Sequence, residues 1–432
     1  MIVALTQVLI LGLPLAILLD RAASRLRLLG LSFLLGSGAV SLVLLALPRW
    51  SPVTVTAAVL ALSAMLWSVA WKRRPAFGAI VRPHPADYGT LLLVVAHARA
   101  ATRAFFDEWD FWAIWGLKGR VFLTHRGIDW AWLETPANAF AHPDYPPLLS
   151  LNYAFYAMQA GEWNDARLGL VTTLFGAAVL LLVRDFFDER FAAWATLGVA
   201  SLALSPWVGL AEAPLIAYGT AGLLFLRSRQ LLLGALMLGL AACTKNEGLT
   251  LVAAAAGALA LSGRWRDVPR LWPALAVAAP WQVMRAFHAL PTDLLAGPVQ
   301  QRIAANVARR SEFFGALAAE RPVQPELWIA LLVAMLLFAR HLGRERFVLF
   351  TVALQLAFYL AAFASTPKDL TWHLETAAAR LLEQMALPLA FAVLSVVGVE
   401  YGGNRFRTQK EATAKYASPP RALPEHDRRC TS

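Results

Sequence analysis

The feature that most constrains this chain is the recurrence of long apolar runs from one end to the other. About 20 apolar residues in a helix cross the hydrocarbon of a bilayer, and the chain opens on such a run, "MIVALTQVLILGLPLAILLD". Of its 432 residues 58% are hydrophobic and only 16% charged. A soluble chain of that composition lacks the polar groups to cover its own surface. The expected fold is therefore all-α, a polytopic transmembrane helical bundle. Spans are expected near residues 1–19, 29–47, 53–71, 87–105, 166–184, 191–210, 212–226, 230–247, 248–263, 270–288, 325–340, 346–364 and 380–399, about thirteen in all. Several are short for a full crossing, and one or two fit a re-entrant course. The first run has no basic leader and no small-residue cleavage site, so it reads as a retained span.

Loop charges orient the bundle. The formal net charge is +11, and in a membrane protein such an excess marks cytoplasmic loops rather than a nucleic-acid partner. "DRAASRLR" (20–27), "KRRPAFGAIVR" (72–82), "RDFFDER" (184–190), "RSRQ" (227–230), "GRWRDVPR" (263–270), "ARHLGRER" (339–346) and the tail after Tyr401 fall on one side of an alternating map. They can all be cytoplasmic at once, with the N-terminus outside a cell (inner) membrane and the C-terminus inside. Cys243 lies in an apolar run and Cys430 in the polar tail, placements that speak against a disulfide framework.

The opposite, outer side then collects the unusual segments. "DEWDFWAIWGLKGR" (107–120) opens the first large outer loop. Read as an interfacial helix, it puts Trp109, Trp112 and Trp115 on one stripe at headgroup depth. Asp107, Glu108 and Asp110 crowd its apolar edge, a setting that suits a general base; the plainer reading is an anchor whose acids meet water. "HPDYPPLL" (142–149) holds His142, Asp144 and Tyr145 on a proline-stiffened backbone, as site residues or as a decorated turn. Glu212, just before Pro214, is either a helix N-terminal charge or a site residue. In "TKNEGL", Lys245 and Glu247 form a self-neutralising pair, or Lys245 serves as a cation for phosphate. In "TPKDLTWHLETAAARLLEQ" (366–384), Asp369, His373, Thr376 and Arg380 step by four, three and four and share one helical face. Arg380 suits a lipid-phosphate oxygen; the alternative is a solvated lead-in to the span. No P-loop, dinucleotide fingerprint, HExxH, CxxC or GxSxG is present, so a nucleotide-driven pump or zinc protease has no support.

Taken in order, the acidic first outer loop, "YPPLL", the acid before Pro–Leu and "TKNEG" resemble the GT-C superfamily of integral-membrane glycosyltransferases. The similar branch contains the protein O-mannosyltransferases and the aminoarabinose transferase of lipid A, together with the bacterial RgtA/B/C/D-like glycosyltransferase domain. The resemblance spans residues 87–400 as a membrane core; residues 1–86 (three spans) read as an N-terminal addition and 401–432 as a cytoplasmic, disordered tail. It implies a sugar donor carried on polyprenyl phosphate and an acceptor hydroxyl on an envelope glycan, lipid or protein, joined with inversion on the outer (periplasmic) face. Asp110, or Glu108 in its place, would be the base. Lys245 and Arg380, helped by His373, Lys118 and Arg285, would hold the donor phosphate. His142, Asp144, Tyr145, Glu212 and Asp369 would bind acceptor or sugar. No cofactor is required, although Glu108, Asp110 and Glu212 could hold a divalent metal. The sequence departs from the family in reading "DEWD" where an Asp-Glu pair followed by Tyr is commoner. The competing expectation is a transporter or flippase of a lipid-linked or anionic substrate, which would put ionisable residues at mid-membrane depth and on both faces. The absence of evident internal repeats counts against it.

Overall fold

The computed structural model describes residues 1–20, 24–72, 82–103, 108–187, 189–290, 292, 297–309 and 324–402. Asp107, Cys430, the tail beyond 402, and most of the 72–82 and 289–324 segments lie outside the described residues. Among the described residues helix is the only regular structure, as hydrocarbon demands of a chain that must satisfy its backbone internally. In order they are α1 (Ile2–Leu19), α2 (Arg25–Ala46), α3 (Pro52–Lys72), α4 (Pro85–Ala101), α5 (Gly116–His125), α6 (Trp130–Glu134), α7 (Leu148–Ala160), α8 (Asp165–Phe186), α9 (Glu189–Gly198) and α10 (Ala200–Leu204). There follow α11 (Glu212–Arg227), α12 (Leu231–Ala242), α13 (Asn246–Leu261), α14 (Trp272–Phe287), α15 (Val299–Ala308), α16 (Pro325–Leu337), α17 (Arg346–Ala364) and α18 (Leu370–Gly402).

Each expected apolar run is helical, but the run at 191–210 is broken into α9 and α10. Six helices among the described residues are long and apolar enough to cross a membrane: α1, α2, α3, α8, α17 with its preceding turn, and α18. The 16 residues of α11 or α13 extend about 24 Å, short of the roughly 30 Å of hydrocarbon. Length alone therefore supports fewer crossings than the sequence suggested. The most apolar stretches of α2 and α18 are 72% and 78% buried, against 22% for α3. The first two run through the core, whereas α3 presents Val53, Met65, Val69 and Trp71 outward, the pattern of a surface meant for lipid. The tightest crossing joins α1 to α2. A Cβ on Gly12 would stand 1.8 Å from the Ser32 carbonyl oxygen, so only glycine permits that approach.

Within the stretch between the fourth and fifth expected spans lies a helix, α7, that was not expected as a span; every residue from Leu148 to Met158 is buried. Its 13 residues are too few to register as a span, yet nearly all are apolar. One of its polar residues, Asn152, donates to Ser41 Oγ at 2.9 Å and to the Leu148 carbonyl at 2.9 Å, and the Ser41 bond ties α7 to α2.

Among the described residues, loops expected on the cytoplasmic side meet at one end of the bundle. Arg27 reaches Asp20 (2.5 Å) and Asp185 (3.8 Å) and donates to Gln230 (2.5 Å). Arg184 pairs with Asp87 at 2.7 Å, and Arg229 with Asp267 at 2.7 Å. Arg227 Nε donates to Glu345 Oε2 at 2.5 Å. Helix α11 carries Arg227 at this end, labelled inner after the expected orientation, and Glu212 at the opposite end, labelled outer.

Candidate functional site

The acidic stretch does not continue as a plain α-helix. Phe111–Trp115 forms a π-helical turn closed by the Gly116 N–H on the Phe111 carbonyl. The extra residue in that turn breaks the three-residue aromatic stripe. Trp115 is rotated into the core and stacks on Tyr145 at 5.7 Å, while Trp109 and Trp112 stay exposed. The expected single interfacial stripe is corrected to one core tryptophan and two outward ones. π-turns inside helices are frequent at functional sites, and Asp110 is the residue that leads into this one.

Asp110 is ion-paired with Arg380 of α18. The same Arg380 nitrogen lies 3.9 Å from Glu212 Oε1, and its Nε donates to the Thr376 carbonyl at 3.1 Å, one turn back. Glu212 is wholly buried at the start of α11, where the positive end of the helix dipole favours a carboxylate. Its Oε1 accepts from Lys245 Nζ at 2.9 Å, and Lys245 also reaches Glu247 Oε1 at 3.0 Å. Lys245 is the extended residue just before α13. The joint behind it is tight: a Cβ on Gly248 would lie 2.2 Å from the Ala241 carbonyl oxygen of α12. Segments far apart in sequence thus close one network, with three carboxylates on two cations.

A second group adjoins it through Asn246, whose amide donates to Asp144 Oδ2 at 2.9 Å. The Asp144 carbonyl accepts from the Trp281 indole at 3.2 Å. Lys118 is fully buried, donates to the His142 carbonyl at 3.0 Å and sits over the Trp115 ring at 5.0 Å. His142 stacks on Tyr145 at 4.6 Å. Burial lowers the Lys118 ammonium to about 7, against the pull of the Asp144 charge in the other direction. Burial likewise raises the Asp144 carboxyl, opposed by Asn246, Lys118, Thr292 and Arg285, which places Arg285 beside this group. The Tyr145 hydroxyl is raised by burial, with Glu247 adding to it.

The structure thus brings together Asp110, Glu212, Lys245 and Arg380, and next to them Lys118, His142, Asp144, Tyr145 and Arg285. His373 lies two turns before Arg380 on the same face of α18, within range of the Arg380 and Lys245 charges, with Nδ1 2.7 Å from Thr366 Oγ1. Asp369 stands apart: it is exposed and accepts from the Trp372 N–H at 2.9 Å, a helix cap. Glu108 is half-buried beside the π-turn, its carbonyl accepting from the Phe111 N–H at 3.1 Å. The expectation that Glu108, Asp110 and Glu212 could share a metal is corrected, because Arg380 stands between Asp110 and Glu212. Among the described residues no group of three His, Cys, Asp or Glu side chains is placed to hold a metal ion.

Sequence reasoning passed over Asn246 and Glu247 as site residues, and missed Trp207, Tyr359, Glu383 and Gln384 altogether. Glu383 follows Arg380 by three residues and is 3% exposed. The signal for it was present, since "RLLEQMALPL" carries an acid into an apolar span, which is rare without a purpose. The chain matches no family model, no curated protein and no solved structure, so the geometry of this outer network is what bears on its function.

Proposed function

We propose that the protein is a membrane glycosyltransferase of the GT-C type, moving a sugar from a polyprenyl-phosphate donor to an acceptor hydroxyl on the outer face of the cell membrane. The observation that carries this reading is the convergence of Asp110, Glu212, Lys245 and Arg380 at one end of an apolar bundle. A lipid-phosphate sugar requires cations for its phosphate and a carboxylate within reach of its acceptor, and these charged groups are assembled here.

Each cation of the resting network already holds a carboxylate. The donor phosphate must therefore take Arg380 over from Asp110, and that exchange frees Asp110 at the moment substrate arrives. Asp110 then accepts the proton of the acceptor hydroxyl. The hydroxyl oxygen forms a bond to the anomeric carbon as the bond to the phosphate oxygen breaks, with inversion, and polyprenyl phosphate leaves with the electron pair. Arg380 and Lys245 stabilise the charge that grows on the phosphate. Glu212 holds both cations in place through its buried Oε1. Lys118, locked on the His142 carbonyl, supports the 142–145 turn that carries Tyr145.

The test is transfer of label from radiolabelled polyprenyl-phosphate sugars to extracted envelope glycolipids, in membranes carrying the wild type or Asp110→Asn. Transfer by the wild type alone supports the reading and the base. Full transfer by both Asp110→Asn and Glu108→Gln would remove the base assignment. No transfer from any such donor, with lipid movement across vesicles instead, would favour a flippase.

A further inference from the structure

Beneath the ion-pair network lies a polar layer that the reaction scheme above does not use. Glu383 is one helical turn, about 4.5 Å, further along α18 than Arg380. Both of its carboxyl oxygens are buried and, among the described residues, neither has a hydrogen-bond partner. The Glu212 charge acts on it, and the Trp207 indole, from the linker between α10 and α11, lies beside it without closing a hydrogen bond. Gln384 accepts from the Tyr359 hydroxyl at 2.6 Å and leaves its own Nε2 unpartnered. Glu212 Oε2, Glu247 Oε2 and Asn246 Oδ1 are also buried and unpartnered among the described residues.

The balance of these atoms is informative. Unused acceptors (two oxygens on Glu383, one each on Glu212, Glu247 and Asn246) outnumber unused donors (Trp207 Nε1 and Gln384 Nε2). A buried carboxyl without a partner is costly, so the group that completes this layer must bring donors. Phosphate brings only oxygens and negative charge, and the carboxylates repel it. A polyol brings O–H groups that match the acceptors, and ring or hydroxyl oxygens that match the Trp207 N–H.

We infer that this layer takes the hydroxylated head of the substrate, with Glu383 accepting hydrogen bonds from hydroxyls of the transferred sugar and Trp207 donating to one of its oxygens. The inference rests on the glycosyl-transfer reading and adds to it the group that selects the sugar. The phosphate is held by the cations at the outer rim, and the sugar is seated one turn deeper.

The experiment is equilibrium binding to the full-length protein in detergent. The probes are a short-chain polyprenyl phosphate, bare or carrying glucose, mannose or their deoxy analogues. The wild type is expected to bind at least one sugar-bearing lipid more tightly than the bare lipid. Glu383→Gln should erase up to about tenfold of that difference, the weight of a hydrogen bond, and leave the bare lipid unchanged. Trp207→Phe keeps the ring and loses the N–H, and should erase a smaller part, which guards against misfolding of the first variant. An equal loss on bare lipid, or no loss in either variant, would overturn the assignment and reduce the layer to a hydrated structural element. The two readings fail separately. Glu383-dependent sugar binding without transfer would remove the transferase and keep the sugar site. Transfer with an unchanged donor KM in both variants would do the reverse.

Discussion

The two ends of α11 carry ion pairs built to different rules. At the inner end Arg227 engages both oxygens of Glu345 through Nε and Nη2, and its guanidinium lies 5.9 Å from the Phe391 ring centroid. Arg184 likewise takes both oxygens of Asp87, at 2.7 and 3.2 Å. Asp267 is met by Arg229, Arg264 and Arg270. Every one of these carboxylates is closed. At the outer end Glu212 presents one oxygen to two cations and keeps the other unpartnered among the described residues. Buried charges stabilise a fold only where their hydrogen-bonding capacity is filled. Glu345, Asp87 and Asp267 meet that condition by themselves and clamp helices, whereas Asp20 Oδ2 at the same end has no hydrogen-bond partner among the described residues. The outer ones are left short, which is the state expected where a ligand supplies the remainder.

The sharpest way to break this contrast is at Asp110. Asp110→Asn should lower transfer by roughly 10²–10⁴-fold in the radiolabel assay, while Glu345→Gln leaves the rate per folded molecule unchanged. If the two variants lost activity alike, the distinction between the ends would disappear. Thermal unfolding in detergent reads the next effect. Glu345→Gln removes the charge of a buried carboxylate from the half-buried Arg227 and should cost about 3 kcal/mol. Lys245→Met strands Glu212 and should cost a similar amount, and adding Glu212→Gln to it should restore part of the loss, because the uncompensated charge is then gone.

The pH dependence of stability is a smaller effect. Lys118 stands at about 7 in the fold against 10.5 when exposed. Between those values the unfolded chain binds the proton and the folded one does not, so stability rises with pH across that window. The expected slope is roughly 1.4 kcal/mol per pH unit, present in the wild type and absent in Lys118→Met. Asp144, whose carboxyl is raised, acts with the opposite sign just above the usual carboxylate range: there the folded chain holds the proton, and stability falls as pH rises. The smallest effect is expected at the exposed Glu162–Arg167 pair. Arg167→Ala there should change stability by less than about 1 kcal/mol, and a larger change would mean that exposed charges matter as much as buried ones.

The bundle's long helices and the grouping of its basic loops were legible because hydropathy and loop charge are summed over many residues, and no single contact decides them. The convergence of Asp110, Glu212, Lys245 and Arg380 was legible for a related reason: each is a charge at the edge of an apolar run, where its cost demands a partner. Helix α7 was not, because 13 residues, buried from Leu148 to Met158, carry neither the length of a span nor the alternation of a half-exposed helix. The π-turn was hidden too. Phe111 to Trp115 reads as an ordinary helix until packing forces Trp115 inward onto Tyr145. Trp207 and Gln384 carried no charge to flag them, and their place beside Glu383 depends on how α11 and α18 pack.

Gly248 has a mechanical consequence. The α12–α13 joint is so closely folded that even a methyl group on that residue would collide with the Ala241 carbonyl. Lys245, Asn246 and Glu247 are consequently mounted on a closely packed corner. Arg380 sits on a different support, well inside the single long rod of α18, and its grip on Asp110 joins that rod to a turn of another segment. On the proposed function, a rearrangement that admits a headgroup would fall to the Asp110 and Arg380 side, moving against the closely packed corner at Lys245. Substituting Gly248 would spoil the stationary half of the vise rather than the half that moves.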